Sequence, residues 1–379
     1  MTKRIKYFTY YGCSDPKCQR QNSPAADTKI DYVVNALNRA GYDVDIISFT
    51  PVTCKAGFVK GVRIISGRNA VKYFPCFGRG ASIVGKLYNR ILYKSTLFLW
   101  GLLNLHKCEK IIVYHSLHSD AIFLKLAKLL HLRIVGEIEE IYQDVHPQTK
   151  AVSKREYDFI KGCIAYIFPN TVLNERLNPT NKPYLVIHGI YQLADNEKKK
   201  IGDKIDILYS GTFDPVKGGA NSAIDMATYL SDSYRLHITG FGTAEELAAV
   251  SEKVVLAKQT SKAEILFHGF LDNEAYKDLL RRCVIGLCSQ DPRTPLNLTS
   301  FPSKILQYMA NGVIVVSGKN KAIEDSRVSS CLYLYEEHTP QKIAECVMSI
   351  SEFDTSKQDD LLKSLDEELP NELQILLNS

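Results

Sequence analysis

A chain of 379 residues is long enough for two or three domains with sizeable cores. An apolar share of 45% and a charged share of 23% exclude wholesale disorder, collagen-like repeats and a coiled-coil rod. A net charge of +5 is too mild to name a partner, and ten cysteines are too dilute for a disulfide scaffold.

In chain order, residues 5–10 read as a strand and 11–28 as a long polar loop with Gly12, Pro16 and Pro24. The opening residues MTKRIKYFTYYGCSDP turn polar after a handful of apolar positions, unlike a signal peptide, so the reducing cytosol is the expected location. Ile30, Val33, Val34 and Leu37 share one helical face, with Asp27 or Thr28 as the expected cap and Gly41 as the stop. Residues 44–49 supply the next strand. Strands at 111–114, 134–138, 164–168 and 184–187 then alternate with helices at 119–131 and 153–163, the pattern of a parallel sheet covered on both faces.

Between the first two strands and the third lies an unusual segment. Residues 55–110 hold eleven Lys/Arg against one acid, Glu109, and this +10 leaves −5 for the rest. Lys86, Arg90 and Lys94 are interleaved there with aliphatic residues and with Trp100, the single tryptophan. That mixture suits an anionic membrane surface. A pair of core helices with solvated basic faces is the alternative, and nucleic acid ranks last because no recognition motif accompanies the charge. The apolar stretch near 97–105 is too short to span a bilayer.

The polar run 195–204, DNEKKKIGDK, reads as a linker. The alternation restarts after it: strands at 206–209, 235–239, 265–268, 284–288 and 313–317, helices at 219–230, 272–282 and 303–311. Two doubly wound α/β domains in tandem follow, residues 1–195 and 196–350. The tail 351–379 has eight acids and two lysines and reads as a helix expected to pack back toward the first domain. Ligand is expected where strand C-termini face a cleft between the domains.

Three loops of the second domain carry chemistry. In SGTFDPVKGG (210–219), glycines allow close backbone approach and Lys217 can place a point charge on a phosphate. TGFGTA (239–244) offers G-x-G, but Glu245 occupies the third glycine position of a dinucleotide fingerprint, which argues against a dehydrogenase. In TSFPSKILQYMANGVIVVSG (299–318), Pro302 suits a first helical turn, and Ser303 and Lys304 sit where an anion is attracted. Gln307 lies one turn on, within reach of a ribose hydroxyl.

The succession GTFDPVKGG, ITGFG, LFHGF and FPSKILQYMANGVIVVSG resembles the nucleotide-binding half of GT-B glycosyltransferases of the GT4 (group 1) type, closest to bacterial enzymes of capsule, exopolysaccharide or O-antigen synthesis. NSPAADTKIDYVVNALNRAGYDVDIIS, VYHS and GEIEEIY resemble segments of the other half. The resemblance covers most of residues 1–350. It implies a fold of two Rossmann-like domains facing across a cleft with a C-terminal helix, an acceptor-binding first domain and a nucleotide-sugar-binding second. It further implies retaining sugar transfer from a UDP- or GDP-linked donor to a lipid-linked or oligosaccharide acceptor. Lys217 matches the lysine that contacts the donor diphosphate, and Ser303 and Lys304 match the helix-start contacts to the same group. Gly211, Gly240 and Gly242 match close-approach glycines, and Phe270 falls where backbone groups hold the base. Thr299 and Gln307 stand where many members carry two glutamates, and Thr212 and Phe213 replace an arginine that often precedes the lysine.

Two lysines and a helix start can stabilise a departing diphosphate without a metal or other cofactor. Cys13-x4-Cys18 and Cys283-x4-Cys288 lack partner pairs at zinc spacing, so no metal is expected. On the acceptor side, Glu137, Glu139 and Glu140 follow a strand. Two-residue spacing pairs Glu137 with Glu139, while Glu140 best matches the family's recurring position. The same acids can instead be solvated or hold Arg133 or Arg155. His115 and His118 end another strand, in a structural or a catalytic role. Gly12 can bring a backbone amide to the diphosphate. The competing readings are a sugar-nucleotide epimerase on the same architecture and a non-catalytic protein binding a nucleotide sugar or a partner transferase.

Overall fold

The structure is a computed structural model and describes residues 3–12, 19–21, 23–55, 57–78, 82–117, 119–145, 148–194, 199, 202–294, 297 and 300–379. The chain divides into two units. One comprises Met1–Pro169, Leu173–Ile187 and Glu368–Ser379, the other Asn170–Val172 and His188–Glu367. The crossing at 187/188 falls ahead of the lysine-rich run.

The strands of the first unit are β1 (Lys3–Thr9), β2 (Tyr42–Ser48), β3 (Phe58–Val59), β4 (Val62–Ser66), β5 (Asn69–Tyr73), β6 (Cys76–Phe77), β7 (Lys110–Tyr114), β8 (Arg133–Glu137), β9 (Ala165–Phe168) and β10 (Tyr184–Val186). Eight of them form one sheet in the order β10-β9-β8-β7-β1-β2-β5-β4, and β3 pairs with β6 separately. Every neighbour in the large sheet is parallel except β4, which runs antiparallel to β5 at the edge. The central strands are apolar on both faces, as a sheet covered on both sides requires: Ile111, Ile112 and Val113 are all fully buried. Helix Pro24–Arg39 follows β1. Its cap position is Ser23, so the start lies ahead of the Asp27 or Thr28 expected from the sequence. Asp27 serves the entry differently, accepting from the Ser23 and Gly12 amides.

Residues 83–104 form helix Ile83–Leu87, a π-helical turn Tyr88–Leu92 and helix Tyr93–Asn104. The last of these sets Leu97 and Trp100 against the cluster of Phe8, Phe49, Phe74 and Phe123. At the other end of the chain, helix Ser356–Asn378 buries Leu369, Leu373, Leu376 and Leu377. Lys110 Nζ donates to the Leu377 carbonyl at 2.6 Å and Arg133 to the Ser379 oxygen at 2.7 Å, placing cations at a helix C-terminus where the dipole favours them.

The second unit is built on β11 (Ile205–Thr212), β12 (Tyr234–Phe241), β13 (Glu264–Gly269), β14 (Ile285–Cys288), β15 (Ile314–Gly318) and β16 (Leu332–Tyr335). Their order is β13-β12-β11-β14-β15-β16, and all pairs are parallel. In chain order this is the doubly wound 3-2-1-4-5-6 arrangement, whose direction of winding reverses between β11 and β14. Helix Ala244–Ala257, absent from the sequence reading, follows β12 with a Thr243–Glu246 capping box. The two acids of its first turn thus complement a helix N-terminus. Strand β16 and helix Pro340–Met348 also went unread in the sequence.

Candidate functional site

Parallel strands end on one side of their sheet, and in open α/β sheets a ligand lodges there, at the reversal of strand order. In the second unit that place is defined by the end of β11 and the loop after it, Ser210 to Lys217, and by the segment leading from β14 to helix Lys304–Ala310. A connected set of polar side chains meets here. Lys304 Nζ donates to Gln307 Oε1 at 2.7 Å and to the Tyr276 hydroxyl at 3.2 Å, and lies 4.9 Å from the centre of the Tyr276 ring. The Tyr276 hydroxyl donates to Gln307 Oε1 at 3.2 Å and accepts from Ser210 Oγ at 3.1 Å. Beneath them the Ser210 amide donates to the buried Tyr308 hydroxyl at 3.0 Å.

Among the described residues no acid pairs with Lys304. Burial pushes the ammonium's pKa down to about 8, with the Cys288 sulfur pulling in the opposite direction. The same burial lifts the Tyr276 hydroxyl to about 12 and the neighbouring Cys288 thiol to about 12, so both are neutral near pH 7. A half-buried cation whose only partners are neutral is electrostatically incomplete, and an arriving anion relieves it. Lys217, half-buried in the turn before helix Gly219–Ala227, likewise has no hydrogen bond or ion pair among the described residues.

Ser303 is exposed at the cap position and its side chain caps nothing, leaving its hydroxyl open. Pro302 lies one residue before the cap rather than within the first turn. Phe270, 72% exposed, follows the left-handed Gly269 at the end of β13. The glycines have internal reasons. A Cβ on Gly240 would stand 1.9 Å from the Gly211 carbonyl oxygen, one on Gly211 2.9 Å from the Tyr209 hydroxyl, and one on Gly242 2.6 Å from Glu246 Oε2. Thr299 lies outside the described residues. Tyr276 was missed in the sequence: nothing in NEAYKDLLRR distinguishes this tyrosine until the fold brings it to Lys304 and Gln307.

In the first unit the expected acceptor residues separate by environment. Glu137, at the end of β8, is buried and accepts from the Tyr7 hydroxyl. Burial raises its carboxyl to about 7, with Lys29 pulling in the opposite direction. Glu139 is half-exposed and accepts from Lys29 Nζ, so both acids border one lysine although only Glu137 belongs to the strand. Glu140 is exposed. His115 is buried, 3.4 Å from Asp120 and 3.5 Å from Glu156 and stacked on Phe159, which makes it a core histidine rather than a group open to substrate. His118 lies outside the described residues. The Gly12 amide, expected to be open to a diphosphate, donates to Asp27 Oδ1 at 2.7 Å and is already engaged. Cys283 and Cys288 are buried separate thiols, and Cys13 and Cys18 lie outside the described residues.

The raised carboxyl of Glu137 has a thermodynamic consequence. Between the unfolded carboxylate's usual pKa and about 7, the native state keeps a proton that the unfolded chain has released. Stability therefore falls as pH rises through that window, by on the order of 3 kcal/mol. Urea unfolding at pH 5 and pH 7.5 should show this loss, and Glu137→Gln should flatten it. An unchanged slope in the variant would assign the pH dependence elsewhere.

Lys86 and Lys94 are exposed, together with Ile83, Val84, Leu87, Ile91 and Leu103. The Arg90 side chain lies outside the described residues. Trp100 departs from the surface role expected for it: its ring packs edge-on against Phe8 and Phe74 at 6.1 and 5.8 Å. Among the described residues no helix is long and apolar enough to cross a membrane.

The second unit is thus a doubly wound α/β sheet with a lysine at its winding reversal that no acid pairs among the described residues. Residues 204–352 match the family described as glycosyl transferases group 1. No curated protein sequence matches the chain. Solved structures share the whole GT-B architecture at low identity. The E. coli trehalose-6-phosphate structure bound with UDP-2-fluoro glucose is 9% identical, with a TM-score of 0.65 over 98% of this chain and 97% of that one. The catalytic domain of starch synthase IV from Arabidopsis thaliana, bound to ADP and acarbose, is 10% identical, with a TM-score of 0.63 over 100% of both chains. Anabaena HepE in complex with UDP and glucose is 11% identical, with a TM-score of 0.63 over 99% of this chain and 100% of that one.

Proposed function

We propose that the protein is a retaining glycosyltransferase that moves a sugar from a UDP- or GDP-linked donor to a hydroxyl of a lipid-linked or oligosaccharide acceptor in cell-surface polysaccharide synthesis. The observation that carries this reading is Lys304: a half-buried ammonium with only neutral partners, at the winding reversal of a unit that matches a glycosyltransferase family. The nucleotides named with the structural neighbours are consistent with it.

As the glycosidic bond breaks, negative charge accumulates on the leaving diphosphate. Lys304 and Lys217 supply fixed positive charge to it, and the Ser303 hydroxyl a hydrogen bond. Gln307 and Tyr276 hold the Lys304 ammonium in place, so little reorganisation is needed when the charge appears. Gly211, Gly240 and Gly242 keep the strand ends close, and the backbone at Phe270 is assigned to the base. Glu140 is the acid assigned to donor sugar or acceptor hydroxyl, with Glu139 beside Lys29 as its neighbour. The exposed apolar and basic side chains of the 83–103 region, Lys86 and Lys94 among them, fit a protein held at the surface of an anionic membrane.

Incubation with labelled nucleotide sugars, with and without an extract of lipid-linked acceptors, tests the reading. Transfer of label to lipid supports it. An isomerised donor or binding without turnover would replace it with an epimerase or a non-catalytic binder. Because the two lysines supply the charge stabilisation, transfer should persist in EDTA. Complete loss restored by Mg²⁺ or Mn²⁺ would contradict the metal-independent mechanism.

A further inference from the structure

On the edge of the first unit's sheet, helix Tyr93–Asn104 covers a cavity of about 200 Å³ lined by Lys6, Arg63, Lys72, Trp100 and Asn104, with Asp45 as the acid of its wall. The charges around it do not balance. Lys6 is paired with Glu109, and Asp45 is shared between Arg4 at 2.9 Å and Arg63 at 3.5 Å. Lys72 has no acid or hydrogen-bond partner among the described residues; its ammonium only overlies the Phe74 ring at 5.7 Å.

The register makes this imbalance more pointed. Arg63 and Lys72 are direct cross-strand partners in the antiparallel β4–β5 pair, and like charges so placed repel. An anion between them turns that repulsion into two attractions. The indole N–H of Trp100 makes no hydrogen bond among the described residues and is a further donor at the same cavity. Exposed apolar side chains neighbour the lining residues: Ile65, on the same face of β4 as Arg63 and paired with Ala70, is 71% exposed, and Leu103, next to Asn104 in the chain, is 84% exposed. Cationic lining and exposed apolar neighbours together match an amphiphile carrying a phosphate, and the +10 charge of residues 55–110 draws in an anionic surface.

We infer that this cavity is a head-group site for an anionic phospholipid, with the phosphate between Lys72 and Arg63 and the acyl region against Ile65 and Leu103. It deepens the membrane part of the proposed function and is independent of the transfer chemistry.

Trp100 is the only tryptophan and lines the cavity, so its fluorescence reports occupancy without a label. Vesicles of phosphatidylcholine containing phosphatidylglycerol should shift its emission saturably, and phosphatidylcholine alone should not. Lys72→Gln should weaken binding to the mixed vesicles about tenfold more than Lys107→Gln, a charge-matched change in the same basic segment at a residue that does not line the cavity, and Lys72→Arg should restore most of it. Thermal unfolding of each variant confirms folding; if Lys72→Gln does not fold, Arg63→Gln takes its place with the same expectation. Equal losses for Lys72 and Lys107 would reduce the effect to diffuse attraction and overturn the site. An equal emission shift with soluble glycerol phosphate or inorganic phosphate, at comparable affinity, would overturn the lipid as occupant. Vesicle binding needs no nucleotide sugar, so failure here leaves sugar transfer standing, and an inactive enzyme leaves this site standing.

Discussion

Lys304→Ala lowers kcat/KM for sugar transfer by about 10²-fold or more, the loss usual when a charge contact made to the transition state is removed. The neighbours of Lys304 are all neutral, so no other group takes over its charge at that position. Its depressed pKa supplies an independent signature. In the free protein the ammonium is charged at pH 7 and loses its proton as pH rises through about 8. A bound diphosphate favours the charged form and holds the proton to higher pH. UDP or GDP affinity should therefore be flat below pH 7 and weaken by up to about tenfold per pH unit above 8. In Lys304→Ala that alkaline limb should disappear. For stability the sign is the reverse: above about 8 the native state has released a proton that the unfolded lysine keeps, so folding becomes more favourable up to the unfolded pKa. Near-normal transfer by Lys304→Ala would remove this residue from the mechanism.

Gly240→Ala destabilises the second unit by about 3 kcal/mol, the upper part of the range for forcing atoms into a packed site. The added methyl would stand 1.9 Å from the Gly211 carbonyl oxygen, a backbone atom that moves only if β11 and β12 part at the end of their shared register. For a unit of this size a loss of that magnitude lowers Tm by roughly 6–12 °C. Gly242→Ala provides the contrast. Its nearest obstacle is the carboxylate end of Glu246, a side chain that can rotate away, so the cost should be about 1 kcal/mol, chiefly the weakened capping box. Both are read by thermal unfolding, with UDP or GDP binding measured alongside. A Gly240→Ala protein of normal stability that no longer binds nucleotide would shift the glycine's purpose from strand packing to ligand approach.

The doubly wound class and most strands were legible in the sequence because each depends on local pattern. Short apolar runs such as IIVY and VIVV mark strands buried on both faces, and Ile30, Val33, Val34 and Leu37 mark a helix face. Legibility failed where pattern is mixed. Helix Ala244–Ala257 opens with AEELAA beside a G-x-G, and the glycines drew attention from the capping box that starts it. The β4–β5 hairpin was obscured by its basic residues, since an edge strand needs no continuous apolar run. Gly12 and His115 were reasonable candidates by position after strands, but position does not reveal that an amide is already bonded or that a ring is enclosed. Gln307 was legible as lying one helical turn on from Ser303, but its hydrogen bond from Lys304 was not. Nor was the Tyr276 hydroxyl that meets both Lys304 and Gln307.

The amino-acid order by itself determined the two rounds of strand–helix alternation, the basic 55–110 segment and the lysine at the start of the 304–310 helix, because helical and strand periodicity and net charge are properties of neighbouring residues. Tertiary structure alone decided that Ser210, Tyr276 and Lys304 meet, that Glu137 is enclosed with Tyr7, and that Lys72 faces Arg63. Those contacts depend on strand order and register. The Ser210 amide meets a tyrosine 98 residues away, and a one-position slip of β4 against β5 would turn Arg63 to the face opposite Lys72.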